Sequence, residues 1–175
     1  YFWLAASAGL VRGDVNELAA RVPAAAAALL TVAVVAALGA RCLGAVPGAL
    51  AGLVLATTWL FAWMGRRVSL DVLLTLLVTA SVASAWRGFA CAREAGEGSA
   101  QPKRSRSAWA WLLVSGLAAG LAIMTKGPVA LLFIVAAILP LALDRRARGP
   151  GLAGWVALAA GLALILVAWL VPAHA

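Results

Sequence analysis

The chain has 175 residues, of which 65% are hydrophobic and only 11% charged, with a formal net charge of +8. A water-soluble domain of this size has no use for so much apolar surface, which excludes a soluble enzyme or a nucleic-acid-binding module despite the basic balance. Spanning a hydrocarbon layer of about 30 Å takes roughly 20 apolar residues as a helix, and such stretches recur along the chain.

Taken in order, six apolar segments present themselves at 23–40, 45–64, 70–86, 108–125, 128–143 and 151–171. They are continuous runs of Ala, Leu, Val and Gly without the period-two alternation of barrel strands. Lipid offers the backbone no hydrogen-bond partner, so each segment satisfies its own groups as a helix. The expected fold class is therefore all-α, a polytopic transmembrane bundle of about six spans. Residues 1–22 form a first loop, 23–171 hold the spans, and 87–107 form a connecting loop. That loop, "RGFACAREAGEGSAQPKRSRS", reads as a flexible basic connector lying against anionic headgroups.

Loop charge sets the orientation. Of the 14 Lys and Arg residues, nine fall on one side: Arg41, Arg87, Arg93, Lys103, Arg104, Arg106, Arg145, Arg146 and Arg148. Five fall on the other: Arg12, Arg21, Arg66, Arg67 and Lys126. The positive-inside rule makes the nine-residue side cytoplasmic. Trp59, Trp63, Trp86, Trp109, Trp111, Trp155 and Trp169 fall near span ends, as interfacial belts do. Gly48-x-x-x-Gly52 and Gly116-x-x-x-Gly120 provide small-residue faces on which helices pack closely.

Signatures of soluble enzymes are missing: there is no H-E-x-x-H, no G-x-S-x-G and no Cys/His cluster, and the single histidine is His174. Cys42 and Cys91 lack metal or redox spacing and read as reduced thiols. "GLAIMTKG" lacks the Lys-Ser/Thr ending and the preceding strand of a phosphate loop. The remaining polar residues gather on the outer side: Asp14, Glu17 and Arg21, then Arg66, Arg67, Ser69 and Asp71, then Lys126 at the turn between two spans. Cations beside helix N-termini suit a phosphate, and an acid among them suits a base or a metal ligand. Each residue also has a plainer reading. Ser69 can cap a helix that Asp71 stabilises as a first-turn acid; Arg66 and Arg67 can anchor a span at the headgroups. Lys126 before Gly127-Pro128 can be an ordinary turn, with Pro opening the next helix. Asp14 and Glu17 can be a solvated loop.

Three tracts in order, "YFWLAASAGLVRGDVNELAARVPA", "GRRVSLDVLLTLLVTAS" and "GLAAGLAIMTKGPVALL", resemble landmarks of bacterial lipid-linked glycosyltransferases of the dolichyl-phosphate-mannose protein mannosyltransferase type. The aminoarabinose transferase group is nearest in character. The family's Arg-Leu-Pro opening of a span appears as Arg21-Val22-Pro23, its Arg-x-x-x-Leu-Asp stretch as Arg66 to Asp71 followed by Leu74-Thr75, and its Thr-Lys-Gly-Pro turn as Thr125 to Pro128. The resemblance implies a GT-C fold in the bacterial inner membrane with its active site on the extracytoplasmic face. The donor it implies is a polyprenyl-phosphate sugar, and the acceptor a lipid, glycan or protein. Lys126 and one of Arg66 or Arg67 would hold the donor phosphate, with Arg21 nearby. Asp71, the candidate catalytic residue, would line the sugar or metal end, which leaves participation of a divalent metal open. The family's acceptor-activating acid belongs to a loop upstream of the "YFWL" tract. The expectation is thus a fragment, inactive by itself. A transporter or flippase segment for an anionic lipid or solute is the alternative, although transporters place ionisable residues near the midplane on broken spans. A non-catalytic scaffold is the third reading, in which Lys126, Arg67 and Asp71 would lie apart.

Overall fold

The computed structural model describes residues 6, 17–96, 102–143 and 151–173. Among the described residues every element is helical: α1 (Glu17–Leu43), α2 (Ala45–Thr57), α3 (Trp59–Gly65), α4 (Leu70–Gly96), α5 (Pro102–Lys126), α6 (Val129–Leu143) and α7 (Gly151–Ala173). The chain divides into two compact units, Tyr1–Thr79 and Ala80–Ala175, with α4 running through the division.

In the first unit, α1 and α2 form a hairpin about one residue, Gly44, whose φ of 104° is open only to glycine without strain. The two helices touch backbone to backbone. A Cβ added at Gly48 would lie 2.2 Å from the Ala40 nitrogen, and one at Gly52 would lie 2.9 Å from the Ala36 Cβ. Gly65 of α3 abuts Ala28, where an added Cβ would sit 2.9 Å from the Ala28 Cβ. The expected small-residue face at Gly48 and Gly52 is thus a real seam.

The expected span 45–64 is not one straight helix. It breaks at Thr58, and α2 and α3 meet at a 68° bend. Neither Pro nor Gly causes it. Instead the Thr57 hydroxyl donates to the carbonyls of Leu53 (2.8 Å) and Val54 (3.2 Å), and the Thr58 hydroxyl donates to the Val54 carbonyl at 2.7 Å. The Val54 carbonyl also accepts the Thr58 N–H at 3.0 Å, so the hydroxyls add second bonds to carbonyls of the last turn, the back-bonding by which Thr bends helices. After the bend the chain keeps its course along α1. Successive contacts fall at Ala40, then Ala36, then Ala28, a descent of about 18 Å at 1.5 Å per residue. The bent pair therefore travels from one end of α1 towards the other.

In the second unit, α4 and α5 are antiparallel. Ser81 and Ser115 face each other with both side chains buried. The Ser81 hydroxyl donates to the Ser115 carbonyl (3.0 Å) and the Ser115 hydroxyl to the Ser81 carbonyl (2.8 Å). Further along the same pair, the Arg87 guanidinium lies 3.8 Å from the Trp111 ring centre. The Phe89 ring meets Trp155 of α7 edge-on at 5.7 Å. Helices α5 and α7 are parallel and share a second glycine seam. A Cβ at Gly116 would fall 2.1 Å from the Leu158 carbonyl oxygen, one at Gly120 2.8 Å from the Ile165 Cβ, and one at Gly161 2.5 Å from the Leu113 oxygen. Since α5 and α7 point the same way, α6 must travel back along them.

The all-α polytopic fold is as expected, and the structure differs from the expected segments in three details. Four helices, α1, α4, α5 and α7, are long and apolar enough to cross a membrane, and the bent pair makes five. The sixth segment, α6, has 15 residues, about 22 Å of helix, which falls short of the hydrocarbon thickness on its own. The first span does not open at Pro23: α1 starts at Glu17 and carries Pro23 inside it, removing one N–H from the ladder. Finally, most of the 87–107 connector is helix, with α4 running to Gly96 and α5 starting at Pro102. Charge ends a membrane span, but residues such as Arg, Ala and Glu are good helix formers and let the helix continue beyond it.

Candidate functional site

The residues singled out in the sequence fall in both units, and each group is described where it stands. At the start of α1, Arg21 pairs with Glu17 one turn earlier, and both side chains are largely exposed. The acid stands N-terminal to the base, the favourable order for such a pair, yet an exposed pair of this kind contributes only about 0–1 kcal/mol. Glu17 therefore belongs to a helix and not to a loop. Asp14 lies outside the described residues.

Four residues beyond Arg21 on the same helical face is Ala25, and the face continues through Ala28, Leu29 and Val32. These four line a cleft of about 260 Å³ closed on its other side by Ala56, Phe61, Ala62, Gly65 and Arg66. The cleft is the room left under the Thr58 bend. Among the described residues Arg66 is the only polar side chain on its wall, so the structure brings Arg66 against the α1 face that carries Arg21 one turn away. Arg67, its neighbour, does not line this cleft. Its guanidinium sits 4.0 Å from the centre of the Trp63 ring, a stack that the i, i+4 spacing makes available.

Past this corner, Ser69 caps α4: its hydroxyl accepts the Asp71 N–H at 3.2 Å, as Ser does at an N-cap. Asp71 is half-buried in the first turn of α4, where the helix dipole favours its negative charge. Ser69 thus takes the capping role expected of it, and Asp71 stands as a first-turn acid of α4.

In the second unit Lys126 is the exposed last residue of α5, where the dipole favours a cation. The turn after it is built by Gly127, with φ of 75° and an N–H that donates to the Ile123 carbonyl at 2.7 Å; this is a left-handed helix cap. Pro128 follows immediately ahead of α6. The Thr-Lys-Gly-Pro order is thus a compact reversal that presents the lysine at its tip.

That unit has its own cleft, about 280 Å³, lined by Ser81 and Ser115 together with apolar side chains such as Leu131, Ile134, Ile138 and Trp155. Ser81 and Ser115 are the polar side chains among the described residues of this lining, and each hydroxyl already donates to the other residue's carbonyl. Among the described residues no group of three or more His, Cys, Asp and Glu gathers as metal ligands do. Sequence reasoning missed the α1 wall of the first cleft, because Ala25, Ala28 and Gly65 carry no chemical label. It also missed the Trp63–Arg67 stack, which the spacing of four contained.

No curated protein and no solved structure matches the chain. The family model of dolichyl-phosphate-mannose-protein mannosyltransferases matches residues 1–171. With its all-helical architecture and several membrane-length helices, the chain belongs to the dolichyl-phosphate-mannose-protein mannosyltransferase family, a family of membrane glycosyltransferases.

Proposed function

We propose that the protein transfers a sugar from a polyprenyl-phosphate carrier to an acceptor on the extracytoplasmic face of a bacterial inner membrane. The observation that carries this reading is the α3–α4 corner, where an arginine stands on the wall of a cleft whose other described residues are apolar, in a chain of this family. A lipid phosphate needs both features: a fixed cation for its head and hydrocarbon walls for its chain. The sidedness rests on the nine-to-five division of basic residues, and the course of α2 and α3 along α1 is consistent with a crossing between them.

When the glycosyl–phosphate bond breaks, negative charge collects on the departing phosphate. Fixed cations stabilise that charge most where it develops, and this role goes to Lys126 and to one arginine of the Arg66–Arg67 pair, with Arg21 as an outer cation. Asp71 faces the sugar or a divalent cation bound with it. The acceptor, whether lipid, glycan or protein, loses its proton to a carboxylate base.

The test is transfer of radiolabelled sugar from a panel of polyprenyl-phosphate donors by the full-length protein in inverted and right-side-out vesicles. Lys126→Ala should reduce transfer by about 10²–10³-fold, the usual effect of removing a group that stabilises transition-state charge. Transfer that ignores this substitution, or that occurs only from the cytoplasmic face, overturns the proposal.

A further inference from the structure

The backbone that carries Arg87 is pinned on both sides. Its neighbour Gly88 packs so closely on α5 that an added Cβ would lie 2.7 Å from the Leu112 Cγ, and Phe89, 2% exposed, meets the Trp155 ring of α7 edge-on. One turn further out the Cys91 thiol and the Ser107 hydroxyl stand 3.9 Å apart, so α4 and α5 stay paired beyond this point. Arg87 itself is half-buried, with its guanidinium 3.8 Å from the centre of the Trp111 ring. That ring attracts the charge through its π face but offers no lone pair to the five N–H groups. The nearest acid on α4 is Glu94, seven residues further out, about 10 Å along the axis.

We propose that Arg87, backed by Trp111, binds the phosphate of an anionic phospholipid in the leaflet on the basic side of the membrane, with an acyl chain lying along Val114, Ala118 and Leu121 of α5. The site takes no part in sugar transfer and does not depend on it.

Level, shape and charge choose this occupant. Trp109, Trp111 and Trp155 mark the height of the headgroups on this side. From Trp111 towards the membrane interior, Val114, Ala118 and Leu121 follow at helical spacing on one face of α5. Val114 and Leu121 are each 44% exposed and Ala118 only 8%, a shallow apolar track that starts under the guanidinium. A free phosphate would leave the track unused. A planar guanidinium matches phosphate oxygens in pairs. Four more basic residues share this end of the hairpin, Arg93 on α4 and Lys103, Arg104 and Arg106 in the first two turns of α5. They favour a headgroup of net negative charge over one that brings its own ammonium.

The experiment uses the full-length protein with Cys42→Ser, Cys91→Ser and Val114→Cys, labelled at position 114 with a fluorophore, in phosphatidylcholine vesicles. Quenching by phosphatidylglycerol brominated in its acyl chains is compared with quenching by brominated phosphatidylcholine. A control label at Leu164 of α7, 60% exposed, reports any general attraction of anionic lipid to a chain of net charge +8. Half-quenching at position 114 should need about tenfold less phosphatidylglycerol than phosphatidylcholine, the worth of one charge-assisted contact. Position 164 should show a preference below about twofold, since distant charges are screened. Arg87→Gln should erase the preference at position 114 and leave quenching by phosphatidylcholine unchanged. Arg87→Lys should lower the preference by about threefold, because an ammonium keeps the charge and loses the planar fork; it serves where the glutamine variant folds poorly. Millimolar inorganic phosphate should not displace the lipid. The proposal is overturned if positions 114 and 164 show the same preference, if the preference survives Arg87→Gln, or if inorganic phosphate abolishes it. A contact that only ties α4 to α5 predicts the first of these outcomes, with a lower melting temperature for Arg87→Gln in either lipid.

Discussion

The two units use the same device to different ends. Both close a helix pair on glycine, at Gly48 and Gly52 in the first and at Gly116, Gly120 and Gly161 in the second. In the second unit straight helices carry the seam along its length, and a serine pair ties α4 to α5 nearby. In the first the seam is interrupted where the chain bends at Thr58, and the space so opened has Arg66 on its wall. Close packing and an open cleft thus succeed one another along one helix surface, on either side of the break at Thr58.

The largest effect should separate the seams themselves. Gly116→Ala drives a methyl group into the Leu158 carbonyl, and Gly48→Ala drives one into the Ala40 backbone. Neither obstacle is a side chain that can turn aside, so each change should cost about 1–3 kcal/mol or more. The α1–α2 pair stays tethered by its one-residue turn, whereas α5 and α7 are held together across the intervening α6. Thermal unfolding in detergent should therefore show the greater loss for Gly116→Ala; the reverse order would mean that the tether contributes nothing. A smaller effect is expected from the serines. Interhelical polar contacts in membranes average about 0.6 kcal/mol and reach about 1.7, so Ser81→Ala and Ser115→Ala should be strongly non-additive within that range in a double-mutant cycle. Additive losses would show that the hydroxyls act separately. Smallest is the Glu17–Arg21 pair. Glu17→Gln should alter stability by less than about 1 kcal/mol, and a larger change would reveal a role for Arg21 beyond that exposed pair.

Much of this was legible in the residues. Uninterrupted apolar composition declared a helical membrane protein, and the G-x-x-x-G spacings marked two of the surfaces that pack. Gly161 escaped because no glycine stands four residues from it; its partner positions are Ala157 and Ile165. Thr58 escaped because bends are sought at Pro and Gly, while a pair of threonines in an apolar run looks like ordinary helix. The 87–107 stretch misled for a related reason: hydropathy records where a helix leaves lipid, not where its hydrogen bonds stop. Of the candidate site, the residue types were readable, since Lys126 is the one charge in a long apolar tract. The distinction between Arg66 and Arg67 was not, because it depends on which side of a turn each guanidinium leaves.

The reciprocal serine bonds do more than join two helices. Sliding α4 past α5 by a single residue would break both bonds between the helices, so the pair acts as an indexing pin on an otherwise greasy rail. The stacking of Arg87 on Trp111 lies along the same pair in the same register. A polar clasp deep in the apolar layer can thereby set the geometry of a surface several turns away.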